Sequence, residues 1–402
     1  MSSRRKREGI PAMPRQSLTS NLPLHDSSRS LALLGGISPE SFLHDYWQKK
    51  PLLIRAALPG FQGLLSKEDL IELACRDDAQ ARLITCPRDK WTVRHGPFTP
   101  GTFSRLPQKH WTLLVQDVNH FLPEARELLL KFRFLPHFRL DDLMVSYAPE
   151  GGGVGPHFDS YDVFLLQGMG HRSWQISAQQ DRRLIDDAPL KILREFSPEQ
   201  EWLLEPGDML YLPPGYAHHG VATDACMTYS IGFRAPAYQE LVTQFLVHLQ
   251  DHRTVEGIYH DPDITFQAHP GLISDALLQQ AGAVLDRIIW YPEDIEHFLG
   301  LYLTEPKPYV FFDPPEKTLT RREFANLIGK TGLRLDLKSR MLFRNRNLYL
   351  NGDAYAAGAE ASRSLQLLAD DLALPPGQEF DQEALELLHQ WHLYGYVLPG
   401  SS

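Results

Sequence analysis

A glycine-rich segment leads directly into a histidine and an aspartate that are two residues apart. The stretch GGGVGPHFDSYD, residues 151–162, has three consecutive glycines and Pro156 ahead of His157 and Asp159. On a β-strand, successive side chains point to opposite faces, so His157 and Asp159 would share one face and Phe158 would lie on the other. An imidazole and a carboxylate on one face are two ligands that can converge on a metal ion.

A third ligand is expected from a neighbouring strand. The stretch LPPGYAHHGV, residues 212–221, supplies His218 or His219 just after a predicted strand and a tight turn. Two histidines and one carboxylate on one face of a metal form the facial triad of non-haem Fe(II) oxygenases, which leaves positions open for a cosubstrate and O₂. A single His-x-Asp pair is weak support for a metal site, and the downstream histidine after a PPG turn strengthens it.

The glycines fit this interpretation because they give the backbone unusual freedom. Glycines 151–153 let the chain turn sharply or pass close to a ligand, and Pro156 stiffens the entry to the ligand strand. The histidines elsewhere in this part of the chain are expected at the surface or in ordinary packing; they are His95, His120 and His171.

A cosubstrate of the 2-oxoglutarate type also needs a cation for its distal carboxylate. Arg172 is expected on the strand after the His-x-Asp strand, beyond the turn at residues 167–171. A guanidinium group binds a carboxylate with two parallel hydrogen bonds, which favours arginine for this task. Most strand arginines are simply solvated, so this assignment depends on the other members of the set.

Short apolar runs broken by Gly and Pro predict a β-rich domain between residues 30 and 237. Such strands with frequent turn sequences are typical of a sandwich, a jelly roll or a barrel. The runs that fit buried or half-buried strands are 110–118, 141–148, 162–168, 172–177, 208–213 and 227–233.

The apolar period changes to a helical one over residues 238–303. Apolar residues recur at helical spacing between 241 and 249, and again between 277 and 289 after Ser274, a plausible N-cap. The second set is apolar enough to require a partner surface, either within its own domain or on another subunit.

A Pro-rich linker opens the last region, residues 304–402. Thr320 and Glu323 form a capping-box pattern, and a strand pair and two helical segments follow. This order resembles a small winged-helix-like module. Residues 305–402 hold 11 Lys and Arg against 13 Asp and Glu, so direct DNA binding is not favoured.

Composition narrows the class of protein further. The net charge of −10 over 402 residues argues against general attraction to phosphate backbones. Three scattered cysteines without a CxxC motif argue against disulfides and a thiolate zinc site and favour the cytoplasm. No apolar run approaches the ~18 residues of a membrane span. The basic start, residues 1–29, is expected to be a disordered tail.

Longer stretches resemble a known family. DDLMVSYAPEGGGVGPHFDSYDVFLLQGMGHRSWQI, LEPGDMLYLPPGYAHHG and YSIGFRAP, with FLHDYWQKKPLLIRAALPGF earlier, are similar to the bacterial JmjC-type ribosomal oxygenases. The resemblance covers essentially the whole chain after the first thirty residues. It implies a double-stranded β-helix, a helical dimerisation region and a winged-helix-like domain. It also implies a 2-oxoglutarate-dependent arginine hydroxylase that acts on a large-subunit ribosomal protein.

The resemblance also assigns site residues. It implies His157, Asp159 and His218 as Fe(II) ligands, and Arg172 as the partner of the cosubstrate's distal carboxylate. A further serine, Ser146, matches a position near the cosubstrate.

Three other residues receive no firm role. His219 has none assigned, and Thr228 stands where the family pattern has Asn, which leaves the lining of the substrate pocket open. Asp162 is a candidate lining residue by proximity only and is expected to be a solvated loop acid.

Two other functions fit the same residues. One is a JmjC oxygenase that acts on a lysine or histidine side chain of another protein, since the metal triad would be identical. The other is a non-enzymatic cupin that binds a metal or small molecule as a sensor, with the winged helix as its output. The sensor hypothesis requires a basic recognition helix, which the charge count opposes.

Overall fold

A computed structural model describes residues 28–87 and 90–400. The chain divides into two compact units, Met1–Ala235 and Pro236–Ser402. The predicted disordered tail falls almost entirely on residues 1–27, which lie outside the described residues. The finer division at 237 and 303 stays a prediction.

Strands dominate the first unit, as the apolar runs predict. Its helices are α1 (Pro39–Asp45), α2 (Lys67–Ala74), α3 (Pro100–Phe103) and α4 (Pro123–Leu130). Its strands are β1 (Leu52–Ile54), β2 (Ala81–Thr85), β3 (Thr92–His95), β4 (Trp111–Val115), β5 (Leu140–Ala148), β6 (His157–Phe158), β7 (Val163–Gln167), β8 (Arg172–Ser177), β9 (Gln200–Leu204), β10 (Met209–Leu212), β11 (Ala217–Ala222) and β12 (Cys226–Phe233).

These strands form two antiparallel sheets. The larger has the order β1-β10-β7-β12-β5-β4-β2-β3, and the smaller has the order β6-β11-β8-β9. Non-sequential neighbours such as β10 and β7 are typical of a jelly roll, in which consecutive strands alternate between the sheets. The predicted mainly β, double-stranded β-helix fold is confirmed. One position differs: β7 intervenes between the His-x-Asp strand and the strand that begins at Arg172.

One face of the larger sheet packs against the smaller sheet, and the other packs against helices. Between the sheets, an apolar cluster joins Val163 and Leu165 of β7 to Trp174 and Ile176 of β8. The opposite face of the larger sheet carries a bigger core that includes Phe42 of α1 and residues of α2 and α4. The helices therefore cover one side of the barrel and leave the inter-sheet side to form a site.

The second unit contains helices first and small sheets later. Its helices are α5 (Tyr238–His252), α6 (Asp275–Leu285), α7 (Pro292–Thr304), α8 (Arg321–Thr331), α9 (Ala359–Asp371) and α10 (Gln382–Leu393). Its strands are β13 (Leu333–Leu335), β14 (Met341–Arg344), β15 (Asn347–Leu350), β16 (Asp353–Ala356), β17 (Ala373–Leu374) and β18 (Val397–Pro399).

The capping residues of the second unit are confirmed. The Ser274 hydroxyl accepts from the backbone N–H of Leu277 at the start of α6. Thr320 and Glu323 form the predicted reciprocal capping box at the start of α8. None of the helices in the described ranges is long and apolar enough to cross a membrane.

Asp162 departs from expectation. It is fully buried rather than solvated, just before β7. Its carboxylate accepts hydrogen bonds from Tyr211 Oη at 2.6 Å, Gln48 Nε2 at 2.9 Å and Arg139 Nη2 at 3.0 Å. Burial and the hydrogen bond to Asp162 raise the pKa of Tyr211. The carboxylate therefore ties the segment after α1 to the barrel and does not line a substrate pocket.

Removing this carboxylate should destabilise the fold. Asp162→Ala leaves the Arg139 guanidinium without its buried counterion and is expected to lower the free energy of unfolding by about 3–5 kcal/mol. Chemical denaturation monitored by circular dichroism measures the change. Asp186→Ala, at an exposed aspartate paired to Arg194, is the control and should leave stability unchanged. Equal stability of the two variants would contradict a structural role for Asp162.

Candidate metal centre

The predicted metal ligands meet because β6 pairs with β11. In this antiparallel pair His157 lies directly opposite His218, and Phe158 lies opposite Ala217. Directly opposed residues point to the same face of a sheet, so both imidazoles lie on one side. Their ring centroids are 4.2 Å apart.

Asp159 completes the cluster from the residue just past β6. Its Oδ2 lies 3.5 Å from His218 Nε2, and its Oδ1 lies 3.9 Å from His157 Nε2. One ligand atom from each of the three residues lies within 4.8 Å of the other two. A metal ion bound to two nitrogens and one oxygen at about 2.0–2.2 Å fits between them after small side-chain adjustments.

Both imidazoles are held in the tautomer that a metal requires. His157 Nδ1 donates to the Gly155 carbonyl at 2.9 Å, and His218 Nδ1 donates to the Tyr216 carbonyl at 3.1 Å. A carbonyl only accepts, so each Nδ1 carries the proton and each Nε2 presents its lone pair to the cluster. Burial, reinforced by His157, lowers the pKa of His218 to about 4, which keeps that ring neutral at pH 7.

The glycine run passes close to the backbone of β11, as its sequence predicts. Gly151 has φ of 73°, in the left-handed region that favours glycine. A Cβ added to Gly153 would lie 2.6 Å from the carbonyl oxygen of Gly220 on β11, too close for any other residue. The segment can therefore lie flat against β11 and deliver His157 in register.

Arg172 lies on the same interior face as His218. On paired strands β8 and β11, Ile176 faces His218 and Ala222 faces Arg172. Alternation places Arg172, Trp174 and Ile176 together on the inner side. Arg172 is only 3% exposed, and its Nε and Nη2 have no hydrogen-bond partner among the described residues. A buried guanidinium with free donors matches a carboxylate ligand.

Trp174 is a site residue that the sequence analysis did not single out. Its ring lies 5.9 Å from the His218 ring and 5.8 Å from the Arg172 guanidinium carbon. It therefore lies close to both the triad and Arg172 on the inner face. Its buried indole N–H finds no acceptor in the described part of the chain. In the sequence, Trp174 follows Arg172 by two residues on one predicted strand, which indicates that the two side chains share a face.

A polar row on the larger sheet faces the same interior. Ser146 of β5 and Gln167 of β7 both lie opposite Thr228 of β12, so the three share a face. Thr228 Oγ1 donates to Gln167 Oε1 at 3.1 Å, and Ser146 Oγ lies 3.4 Å from the Thr228 carbonyl. Ser146 thus lies inside the barrel, where its predicted position near the cosubstrate requires it to be.

The remaining histidines lie elsewhere. His219 points to the opposite face of β11, where its ring packs edge-on against Phe196 at 6.2 Å. Burial lowers its pKa. His95 is exposed on β3, and His171 pairs with Asp224 at the surface. His120 has a nearly buried side chain, which fits its expected packing role.

This geometry defines a class of protein. A double-stranded β-helix with a His-Asp-His cluster and an unpaired interior arginine is the architecture of JmjC-type oxygenases, which use such a site for a metal and an acidic cosubstrate. Comparisons agree with this class. Residues 127–241 match the JmjC domain, and residues 277–397 match the ROXA-like winged helix.

Individual relatives narrow the class to a family. The ribosomal protein uL16 3-hydroxylase of Escherichia coli is 32% identical over 340 residues, which cover 83% of this chain and 89% of that protein. The X-ray structure of E. coli ycfD matches with a TM-score of 0.79 at 32% identity, covering 89% of this chain and 97% of that chain. A structure of YcfD, a ribosomal oxygenase from E. coli, in complex with cobalt and 2-oxoglutarate matches with a TM-score of 0.76, 31% identity and the same coverage.

The chain belongs to the JmjC-domain ribosomal oxygenase family. The predicted resemblance and the predicted order of catalytic, helical and winged-helix regions are confirmed.

Loss of one triad histidine should strongly weaken metal binding at this centre. His218→Ala removes a ligand with its lone pair directed at the cluster, so affinity for Co²⁺ should fall by more than about 100-fold, beyond what loss of a supporting hydrogen bond costs. Isothermal titration calorimetry measures the change. His219→Gln, at the adjacent residue on the other face, should bind as the unmodified protein does. Equal loss in both variants would show that β11 was disrupted, and no loss in His218→Ala would exclude it as a ligand.

Proposed function

We propose that this protein is an Fe(II)- and 2-oxoglutarate-dependent oxygenase that hydroxylates an arginine side chain of a large-subunit ribosomal protein. His157, Asp159 and His218 hold the iron in this proposal. The observation that carries it is Arg172, whose buried guanidinium has unpaired donors on the interior face that also carries His218. Such an uncompensated charge requires an anionic partner.

The donor set fits Fe(II) and an acidic cosubstrate. Two imidazoles and one carboxylate on one face would hold Fe(II) and leave positions open for an acidic cosubstrate and O₂. When bound, iron and 2-oxoglutarate supply the oxidising power that inserts an oxygen atom into a C–H bond. The distal carboxylate would accept from Arg172, with Ser146 nearby on the larger sheet.

The protein's own groups orient reactants and exclude water. Backbone carbonyls of Gly155 and Tyr216 fix the two imidazole rings. Trp174 and the apolar inter-sheet cluster keep the interior dry, which strengthens the pairing of a carboxylate with Arg172. His157 and Asp159 are each 22% exposed at the side chain, so a large substrate reaches the centre from their side. The proposed reaction therefore uses an interior cosubstrate and an exterior protein substrate.

The substrate class follows from the relatives. The E. coli relative is named for 3-hydroxylation of ribosomal protein uL16, and it aligns with most of this chain. The corresponding ribosomal protein is therefore the first substrate to test. Because the proposed substrate is a ribosomal protein, we also propose a cytoplasmic location. Asp162 is fully buried and is therefore not proposed to contact the substrate arginine.

A homodimer is part of the proposal. Helices α5 and α6 expose large apolar side chains, among them Val242, Leu246, Leu278 and Leu285, each more than half exposed. Such patches on a soluble enzyme support a protein interface. The proposed catalytic domain is 30–237, the dimerisation region 238–303 and the winged-helix-like domain 304–402, which is not proposed to bind DNA.

Mass spectrometry tests reaction and substrate together. The protein is incubated with uL16, Fe(II), 2-oxoglutarate and O₂, and the digest should contain one arginine peptide heavier by one oxygen atom, roughly 16 Da. Mixtures that lack 2-oxoglutarate or use His157→Ala should show no shift. If succinate forms without a mass shift, the protein is an oxygenase but uL16 is not its substrate. Proteins with lysine or histidine targets would then be tested. If the iron-loaded protein forms neither succinate nor the hydroxylated peptide, the non-enzymatic sensor hypothesis is favoured.

Replacement of Arg172 tests the cosubstrate site. Arg172→Met removes the guanidinium charge but keeps most of the unbranched apolar stem, so 2-oxoglutarate affinity should fall about 100-fold. The free energy of unfolding without ligand should not fall, because an unpaired buried charge is lost. Titration of 2-oxoglutarate into the Co²⁺-loaded protein and chemical denaturation measure the two quantities. Arg183→Gln, at an exposed arginine, is the control. Unchanged affinity would leave Arg172 without a binding role.

A further inference from the structure

A second cluster of histidines lies in the second unit, apart from the proposed iron centre. Helix α5 places His248 and His252 one turn apart, and α7 brings His297 against them. The ring centroids of His248 and His252 are 4.1 Å apart, and those of His297 lie 5.3 and 5.4 Å from them. One ring nitrogen from each residue lies within 4.8 Å of the other two.

The ring nitrogens are available as ligands. His252 Nδ1 donates to the backbone carbonyl of His248 at 2.8 Å, which leaves its Nε2 with a free lone pair. Burial and the neighbouring imidazoles lower the pKa of His248 and of His297. The three imidazoles therefore lie close enough together for one nitrogen of each to bind the same ion.

Nearby acids do not account for the cluster by ion pairing. Asp294 lies one turn before His297 on α7, but its carboxylate accepts from Arg253 at 2.7 and 2.9 Å and from the backbone N–H of Tyr291 at 2.8 Å. Its negative charge still favours a cation close to His248 and His297. Phe245 and Phe298 form an apolar wall beside His248. Imidazole nitrogens, an apolar wall and an outer carboxylate are typical of zinc surroundings.

We propose that His248, His252 and His297 bind a divalent transition-metal ion, with Zn²⁺ as the representative probe. Three histidines with a water molecule in the fourth position form a tetrahedral zinc site. At Zn–N distances of 2.0–2.1 Å the nitrogens would be about 3.3 Å apart, so the rings need to move by only ~1 Å. His248 is buried and His252 is exposed, so the water-bearing side faces solvent. The ion connects α5 to α7 across the intervening residues 253–291.

The test counts metal ions in a background that lacks the first centre. Untagged protein carrying His157→Ala and Asp159→Ala is stripped with chelator, dialysed against micromolar Zn²⁺ and analysed for bound metal. One equivalent per chain is expected. Adding His252→Gln, an exposed position that the fold tolerates, should abolish that equivalent. Adding His269→Gln instead, at an exposed histidine of the same unit outside the cluster, should leave it in place.

Co²⁺ provides a second measurement on the same variants. Four-coordinate Co²⁺ absorbs visible light far more strongly than six-coordinate Co²⁺, so the background protein should develop an intense band that His252→Gln lacks. Zn²⁺ should also raise the melting temperature of the background and control proteins only. Absence of stoichiometric metal in the background protein, or its persistence in His252→Gln, would overturn the site. Hydroxylation by a chain with only His252→Gln tests the first centre separately.

Discussion

The register between β6 and β11 is the constraint on which the candidate metal centre depends. Only two residue pairs join these strands, and a slip of one residue would turn His157 to the opposite face from His218. Backbone hydrogen bonds outside β6 prevent such a slip. Gly151 and Ala222 are joined on one side, and Asp159 accepts from Gly215 on the other. A short strand thus positions two candidate metal ligands because the chain is fixed before and after it.

Two buried charged side chains of the same barrel, Asp162 and Arg172, differ in whether their hydrogen-bonding groups are paired. Asp162 is surrounded by three donors and stabilises the fold. Arg172 is equally buried but keeps free donors, which costs stability without a ligand. Such an unpaired group is retained where it serves binding, since functional sites are where proteins forgo stability. The contrast distinguishes the ion pair of Asp162 from the unpaired guanidinium of Arg172, the residue proposed to bind the cosubstrate.

Much of the site could be predicted because its residues are close in sequence or follow a simple period. His157 and Asp159 are two apart, and Arg172 begins a run whose alternation sets its face. Asp162 could not be predicted in this way, because its partners Gln48, Arg139 and Tyr211 come from three distant segments. The three-histidine cluster was missed for the same reason, since α5 and α7 are separated by about forty residues.

The edge strand β1 has a consequence for synthesis of the protein. Among the described strands it pairs only with β10, about 160 residues further along the chain, and Asp208 at that end also accepts from the backbone N–H of Ala56. During translation at roughly 5–20 residues per second, β1 therefore waits on the order of ten to thirty seconds for its partner. An apolar strand with open hydrogen-bonding groups is meanwhile available to chaperones or to another nascent chain. Completion of the barrel is thus a late event, governed by the ribosome's pace as well as by the chain's own folding rate.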